Sequence, residues 1–302
     1  MPAVRVVIPV RGDVAFVYDA VASVATDGSA SVELIVVEDG TAEIDADRLQ
    51  AIAPGTIYLR LPYGGRSRTR NAGVERASRE LVAFLDADDL NLPGRFARQA
   101  ETLERNPEKA LCFGRIVPID EASQPLPPKL ETERGRVDRL LARGLTFSSL
   151  LVDCPIWTSG TMVRREVFTK VGGYRPEIDA FEDLDLYLRL IGAGGLILCA
   201  GEPVACHRIH PGNTPSAHLF VGSVTLARLH LADGRCSAAE RRLLLEREID
   251  GLWALGDFLA VRTKARAALR SNLRLLGNRR FRKRLAASSL PLPLLRRRHD
   301  RP

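Results

Sequence analysis

Cysteine is sparse and unpatterned in this sequence: Cys112, Cys154, Cys199, Cys206 and Cys236 are odd in number, scattered, and include no CxxC pair. Such a set makes a poor disulfide framework and a poor structural zinc site, and it fits a reducing compartment. No apolar run approaches the roughly 18–20 residues that cross a bilayer, so no transmembrane helix is expected. The opening MPAVRVVIPVRG meets charge too early for a signal peptide, which makes cytoplasmic the expected location. Basic charge is also missing from most of the chain, despite a net charge of +7. Residues 1–260 hold thirty basic side chains against thirty-six acidic ones, while residues 261–302 hold fourteen Lys or Arg and one acid, Asp300. A mildly acidic body lacks the basic face that nucleic-acid binding needs, so no nucleic-acid partner is expected.

At 302 residues, 45% hydrophobic and 27% charged, the chain has enough material for one large domain and an appendage. Residues 4–10 (VRVVIPV), 32–37 (VELIVV), 57–61 and 81–85 (LVAFL) read as strands. Residues 16–26 and 68–78 read as the helices between them. Strands separated by helix-length crossovers predict an α/β fold, a mostly parallel sheet with helices on both faces. Residues 118–136 (PIDEASQPLPPKLETERGR), rich in proline and charge, read as a long loop. Strand, helix and a Gly-Gly stop are expected over 157–174, then a helix opened by acids over 181–191, a strand at 196–198 and a loop at 206–213. From about residue 218 the pattern is helical, which divides the chain into a domain at 1–215 and a helical extension with a basic tail at 216–302.

Ligands of such sheets lie outside the carboxyl ends of the strands. The polar residues there are Arg11, Glu38-Asp39-Gly40-Thr41, and Asp86-Ala87-Asp88-Asp89. Alternate carboxylates at a strand end suit one hard cation such as magnesium or manganese, which favours oxygen ligands and bridges phosphates. The same acids also suit a plain acidic turn before the next helix; two charged tips on neighbouring strands favour a nucleotide site.

The blocks PV, VVEDGT, RTRNAGVERA, LVAFLDADD, GGYRPEIDAFEDLDLYLRL and RIHPGN, in this order over about residues 4–213, resemble the family 2 glycosyltransferases of the GT-A fold. The resemblance implies a nucleotide-binding α/β domain, a divalent metal (Mn or Mg), and inverting transfer of a sugar from a nucleotide diphosphate donor, a UDP-sugar by default, to an acceptor hydroxyl. On that resemblance Asp39 meets the base, and Arg70 and Asn71 lie near the diphosphate after Gly64-Gly65. Asp86 and Asp88 match the DxD pair at ribose and metal, with Asp89 an alternative ligand. His210 approaches the metal in the R-x-H loop, and Pro9 and Arg11 flank the nucleotide. Glu182 and Asp183 match the ED motif, whose aspartate is the base that takes the acceptor's proton. An unperturbed aspartate near pKa 3.9 is ionised at neutral pH. Acids at 182 and 183 also simply suit a helix N-terminus.

Two departures bear on this. Val10-Arg11-Gly12 stands where the family usually carries a T-x-N setting after the first strand, and Glu38-Asp39 replaces the common Asp-Asp. A sugar-nucleotidyltransferase is the alternative enzyme, although no glycine-rich loop follows the first strand; an inactive relative acting as a scaffold is the alternative non-enzyme. Expected partners are the nucleotide-diphospho-sugar donor and a glycan, lipid-linked or other hydroxyl acceptor in cell-surface glycan or polysaccharide synthesis. The basic stretches at 279–284 and 296–298 read either as a peripheral contact with anionic membrane at its inner face or as a solvated terminus. Trp157 and Tyr174 read as core aromatics or as a sugar-stacking pair.

Overall fold

The computed structural model describes residues 2–271 except 13, 41–42, 179 and 213–215, together with residues 282, 283 and 286. Thr41 and most of the basic tail therefore lie outside the described residues. The chain forms two compact units, Met1–Pro176 with Glu182–Asn213, and Glu177–Phe181 with Thr214–Pro302.

In the first unit, β1 (Ala3–Val10), β2 (Ser31–Glu38), β3 (Ile57–Arg60) and β4 (Leu81–Phe84) are linked by α1 (Val17–Ala25), α2 (Ala46–Ile52) and α3 (Arg66–Glu75). The chain continues through β5 (Leu90–Asn91), α4 (Arg95–Glu104), β6 (Leu111–Phe113), β7 (Ile116–Ile119), α5 (Pro127–Arg143) and α6 (Phe147–Val152). A single 3-10 turn (Thr158–Gly160) leads into β8 (Thr161–Arg164), α7 (Arg165–Lys170), α8 (Glu182–Ile191), β9 (Leu196–Leu198) and β10 (Ala205–Arg208).

The main sheet has the order β3-β2-β1-β4-β8-β6-β9. Its first four strands are parallel, as expected; β8 runs antiparallel to both β4 and β6. Period-two alternation explains its two covered faces. Val4, Val6, Ile8 and Val10 point into a core with Val17, Val21 and Val24 of α1 and Phe96, Ala100 and Leu103 of α4. Val7 points the other way, against α3, where Gly73 permits the approach: a Cβ there would lie 2.4 Å from a Val7 methyl. Pro9 falls where β1 still pairs with β2 but no longer with β4, so its missing N–H breaks no ladder on the β4 side.

A second, three-stranded sheet, β5-β10-β7, sits beside the end of β4. Buried Arg95 closes the junction by donating from Nη2 to Phe84 O at 2.9 Å and Thr161 O at 3.0 Å, where β4 and β8 end their pairing.

Two expectations are overturned. Residues 206–213 are not all loop, because Ala205–Arg208 is β10 and pairs with β5 and β7. Residues 118–136 are not one long loop: α5 begins at Pro127, and Pro127-Pro128 occupy its first turn. Proline is compatible with a helix start because the first N–H groups have no intrahelical partner. Val137 and Leu140 bury the face that holds the helix down.

The second unit contains α9 (Ser216–Asp233), α10 (Ala238–Ala254) and α11 (Phe258–Ser271). Ser237 and Glu240 form a capping box at the start of α10. Val224, Ile249, Leu252, Val261, Ala265 and Ala268 make its core. Among the described residues, no helix is long and apolar enough to cross a membrane.

Candidate functional site

The parallel register brings the tips of β1, β2 and β4 side by side. Asp39, one residue beyond β2, is 1% exposed. Its Oδ1 accepts from Gly64 N at 2.6 Å and its Oδ2 from Gly65 N at 3.0 Å. Glu38 points away, toward Tyr58 and Arg60 of β3. Gly40 has φ of +65°, and a Cβ there would sit 2.8 Å from Leu61 O and Tyr63 N. The loop before α3 is therefore clamped on the end of β2. Arg11 is exposed beyond β1 and donates from Nη2 to Tyr63 Oη at 2.9 Å.

Arg70 is the hub of the site. It is buried, not a solvated helix residue: Nη2 donates to Asp86 Oδ1 at 2.6 Å and Nη1 to Glu182 Oε1 at 2.8 Å. One guanidinium thus joins the acid after β4 to the acid opening α8. Burial pushes the Asp86 carboxyl up, but the Arg70 charge outweighs this and holds it below its ordinary value. The backbone of Asp86 donates to Ser159 Oγ at 2.9 Å. Asn71 bridges the Tyr174 backbone: Nδ2 donates to its carbonyl at 2.8 Å and Oδ1 accepts its N–H at 2.9 Å.

The two remaining acids after β4 part company. Asp89 is buried; its Oδ1 accepts from Arg208 N at 2.8 Å and lies 3.1 Å from His207 Nδ1. This follows from register, because Cys206 of β10 pairs with Leu90 of β5 and so carries His207 to Asp89. Asp88 keeps a side chain about a third exposed, 2.9 Å from His210 Nε2. His210 Nδ1 accepts from Gly212 N at 3.2 Å, which leaves Nε2 as the protonated nitrogen that donates to Asp88. Burial raises the Asp88 pKa, and repulsion from Asp89 and Asp86 adds to it, against the His210 hydrogen bond. His207 is held above its ordinary value: burial opposes its charge, but Asp89 and the neighbouring acids outweigh burial.

Among the described residues, no group of three His, Cys, Asp or Glu side chains has the geometry to hold a metal by itself. The residues present do fit a hard cation that takes most of its oxygens from a diphosphate. Asp88 is an accessible carboxylate whose charge is opposed by two neighbouring acids, a conflict that a cation relieves. Asp89 fits less well, since its carboxylate already serves His207 and the Arg208 backbone.

Asp183 follows Glu182 in the first turn of α8. Burial drives its pKa up to about 7, Glu182 adds repulsion, and the Leu184 N–H and Arg70 oppose the rise. It therefore keeps its proton to higher pH than an unperturbed aspartate does. Asp185, a further acid on the same turn, is fully buried and paired with Arg175 at 3.2 Å and Arg189 at 2.6 Å. It serves the helix. Tyr174 is a core ring, edge-on to Phe84 at 5.4 Å and Phe168 at 5.6 Å. Trp157 is partly buried and packs against the core; its ring also stacks on His207 at 4.0 Å and donates from Nε1 to Glu133 Oε2 at 3.1 Å, so it is not a free platform.

Sequence reasoning missed Ser159, Tyr63, Glu133 and the pairing of His207 with Asp89. None of the four carries a local pattern, since 204–208 (VACHR) does not alternate.

Residues 5–172, more than half of the chain, match the family model described as Glycosyl transferase family 2. The amylovoran biosynthesis glycosyltransferase AmsE of Erwinia amylovora is 25% identical over 166 residues, covering 54% of this chain and 59% of the relative. The uncharacterized glycosyltransferase alr2836 of Nostoc sp. is 29% identical over 225 residues, covering 68% of this chain and 63% of the relative. The chain thus spans about three fifths of these curated relatives. Among solved structures, S. aureus TarS 1-349 in complex with UDP-GlcNAc superposes with a TM-score of 0.63 at 13% identity, over 99% of this chain and 92% of that one. The mannosyltransferase PcManGT from Pyrobaculum calidifontis, in complex with GDP-Man and Mn2+, gives 0.60 at 13% identity, over 98% and 86%. Likeness at this identity establishes the fold, which is of the GT-A type.

Proposed function

The chain belongs to glycosyl transferase family 2, and from that premise we propose that it moves a sugar from a nucleoside diphosphate donor to an acceptor hydroxyl, with inversion. The observation that carries this reading is the Arg70 bridge from Asp86 to Glu182, which puts the acids after β4 and the acids of α8 in one site. A diphosphate at the first and an acceptor at the second would meet at the anomeric carbon.

Asp183 is the base of the proposed step. The acceptor oxygen attacks the anomeric carbon, its proton passes to the Asp183 carboxylate, and the bond from that carbon to the diphosphate oxygen breaks as the nucleoside diphosphate leaves. A base poised near neutrality combines a useful ionised fraction with real proton affinity, and burial supplies that poise here. Glu182, tied to Arg70, orients the turn. Asp88, oriented by His210, is the residue that would hold a divalent cation, Mn or Mg, which when bound neutralises charge on the leaving diphosphate. Asp39, Pro9 and Arg11 border the base, and Asp86 lies by the ribose. Asn71 contributes by holding the Tyr174 turn.

The acceptor is proposed to be a cell-surface glycan or its lipid-linked precursor. The fourteen basic residues at 261–302 suit an anionic membrane at its inner face, each adding on the order of 1 kcal/mol near such a surface. A panel of nucleotide sugars with manganese, scored for release of nucleoside diphosphate with and without EDTA, tests the reading. No release from any donor, with no nucleoside diphosphate bound, would count against it.

A further inference from the structure

Phe181 breaks two local rules at once. It stands immediately before α8, a place that Ser, Thr, Asp or Asn usually takes because such a side chain caps the first N–H groups. A phenyl ring cannot cap. Its φ is +66°, in the left-handed region, where the Cβ of a bulky residue crowds its own backbone. Among the described residues, Ser123 is the other non-glycine with a positive φ, and its side chain is small. The strained residue is one peptide bond from Glu182 and two from Asp183. Strain of this kind persists only where the surrounding structure imposes it.

What imposes it is the helical unit, to which Glu177–Phe181 belong. Arg247 of α10 sets its guanidinium carbon 4.4 Å from the centre of the Phe181 ring, close enough for the cation to attract the ring face. The residue before the ring is buried and touched by α9 backbone to backbone: a Cβ on Gly222 would lie 2.2 Å from Ala180 O. The two helices meet each other as closely. A Cβ on Gly251 of α10 would lie 2.6 Å from a Val224 methyl and 3.1 Å from Phe220 O of α9. Arg247 is one helical turn before Gly251 and so shares its face. Two glycines thus bring α9 and α10 together, and the pair grips both the backbone at Ala180 and the ring at Phe181. The φ of Phe181 sets the direction in which the chain enters α8. A relaxed, negative φ would swing the first turn of that helix, and the Asp183 carboxyl with it.

We propose that the helical unit takes part in catalysis: Arg247 holds Phe181 in its left-handed conformation, and Phe181 in turn sets the Asp183 carboxylate, which makes both of them positioning residues. This rests on the reading of Asp183 as the base.

The test uses the full chain, Arg247→Met, Phe181→Ala, Phe181→Tyr and the double variant Arg247→Met with Phe181→Ala. Each is given UDP-, GDP-, CDP- and dTDP-linked sugars with manganese and water as the acceptor, and release of the nucleoside diphosphate is followed. Calorimetry with UDP, GDP, CDP and dTDP counts the binding sites. Arg247→Met and Phe181→Ala should each lower kcat by about 10- to 100-fold, the scale of displacing a catalytic group by about 1 Å. Donor KM should stay within about 2-fold, because the donor's own contacts are untouched. Phe181→Tyr keeps the ring face and should recover most of the rate. The double variant should be no slower than the slower single variant, because Arg247 acts through the ring. Lost stability alone would lower the rate and the number of binding sites together. Turnover per binding site that is unchanged in Arg247→Met, or losses that multiply in the double variant, overturns the proposal and leaves the transferase reading intact. An unaltered chain that releases no nucleoside diphosphate from any of these donors removes the proposal, and if it also binds none, the transferase reading with it.

Discussion

Arg70 reaches Glu182 across 112 positions of sequence and 2.8 Å of space, with Asp86 on the other arm of the same guanidinium. Two loops that bind different halves of the proposed reaction are thus fixed to each other by one buried side chain. Removing it takes away the cation that both carboxylates share and leaves Arg66, 3.7 Å from Glu182, as the weaker partner. Arg70→Met should therefore cost about 3 kcal/mol of stability, the scale of breaking a buried ion pair. Urea unfolding measures this. Asp86 has a depressed pKa, so its share of the stabilisation is present above the ordinary carboxylate range and is lost as pH falls through it. The gap between Arg70→Met and the unaltered protein should accordingly narrow at acid pH; a constant gap would detach Arg70 from these acids.

Asp183 has opposite consequences for rate and stability. Its pKa of about 7 lies above the unfolded value, so the folded chain holds a proton that the unfolded chain has released between roughly pH 4 and 7. Stability falls as pH rises through that window. Asp183→Asn removes the ionised buried group and should gain on the order of 1–2 kcal/mol above pH 7, and nothing below pH 4. Transfer should meanwhile drop by about 10²–10⁴-fold, the usual worth of a general base. In the unaltered protein the rate should climb with pH to a plateau above about 7. Undiminished transfer by the Asn variant would place the base elsewhere.

Asp88 and Asp89 should separate by what each loses. Asp88→Asn is expected to abolish the manganese dependence of nucleoside diphosphate binding with little change in unfolding. His210→Ala should weaken that dependence less, since His210 orients Asp88. Asp89→Asn should cost about 1–3 kcal/mol through its bonds to His207 and the Arg208 backbone, with metal dependence largely kept. Calorimetry beside thermal unfolding distinguishes them, and a reversed pattern would move the cation to Asp89.

Gly173 and Asn71 should fail together. Gly173 has φ of +61°, and a Cβ there would lie 2.8 Å from Asn71 Oδ1 and 2.9 Å from the Phe168 ring. Gly173→Ala and Asn71→Ala should each destabilise by about 1–3 kcal/mol, the second by leaving the Tyr174 backbone polar groups unpaired. The double variant should lose less than the sum, because both disrupt one contact.

Much of this protein is written in local pattern. Alternating apolar runs and helix-length spacers announce the parallel half of the sheet, because burial on both faces demands strands of that kind. Acids directly after β2 and β4 announce the site, because chain direction alone decides which strand ends share an edge. The resemblance extended this to Asp183 and His210. Local pattern misleads where proline signals a break: Pro127-Pro128 start α5, and only the burial of Val137 and Leu140 distinguishes a helix from a loop.

Partners and protonation are tertiary. Nothing near Asp89 in sequence indicates that β10 will lay His207 against it, since strand pairing is set by what remains unpaired when the chain collapses. Nothing near Asp183 indicates a carboxyl held to about 7, since desolvation and the fields of Glu182, Arg70 and Asp86 exist only once those residues are gathered. Sequence determines which groups are available and at which edge. Packing decides which of them are committed to each other, as Asp89 and Asn71 are, and which, like Asp88, Arg11 and Tyr63, keep a face turned outward.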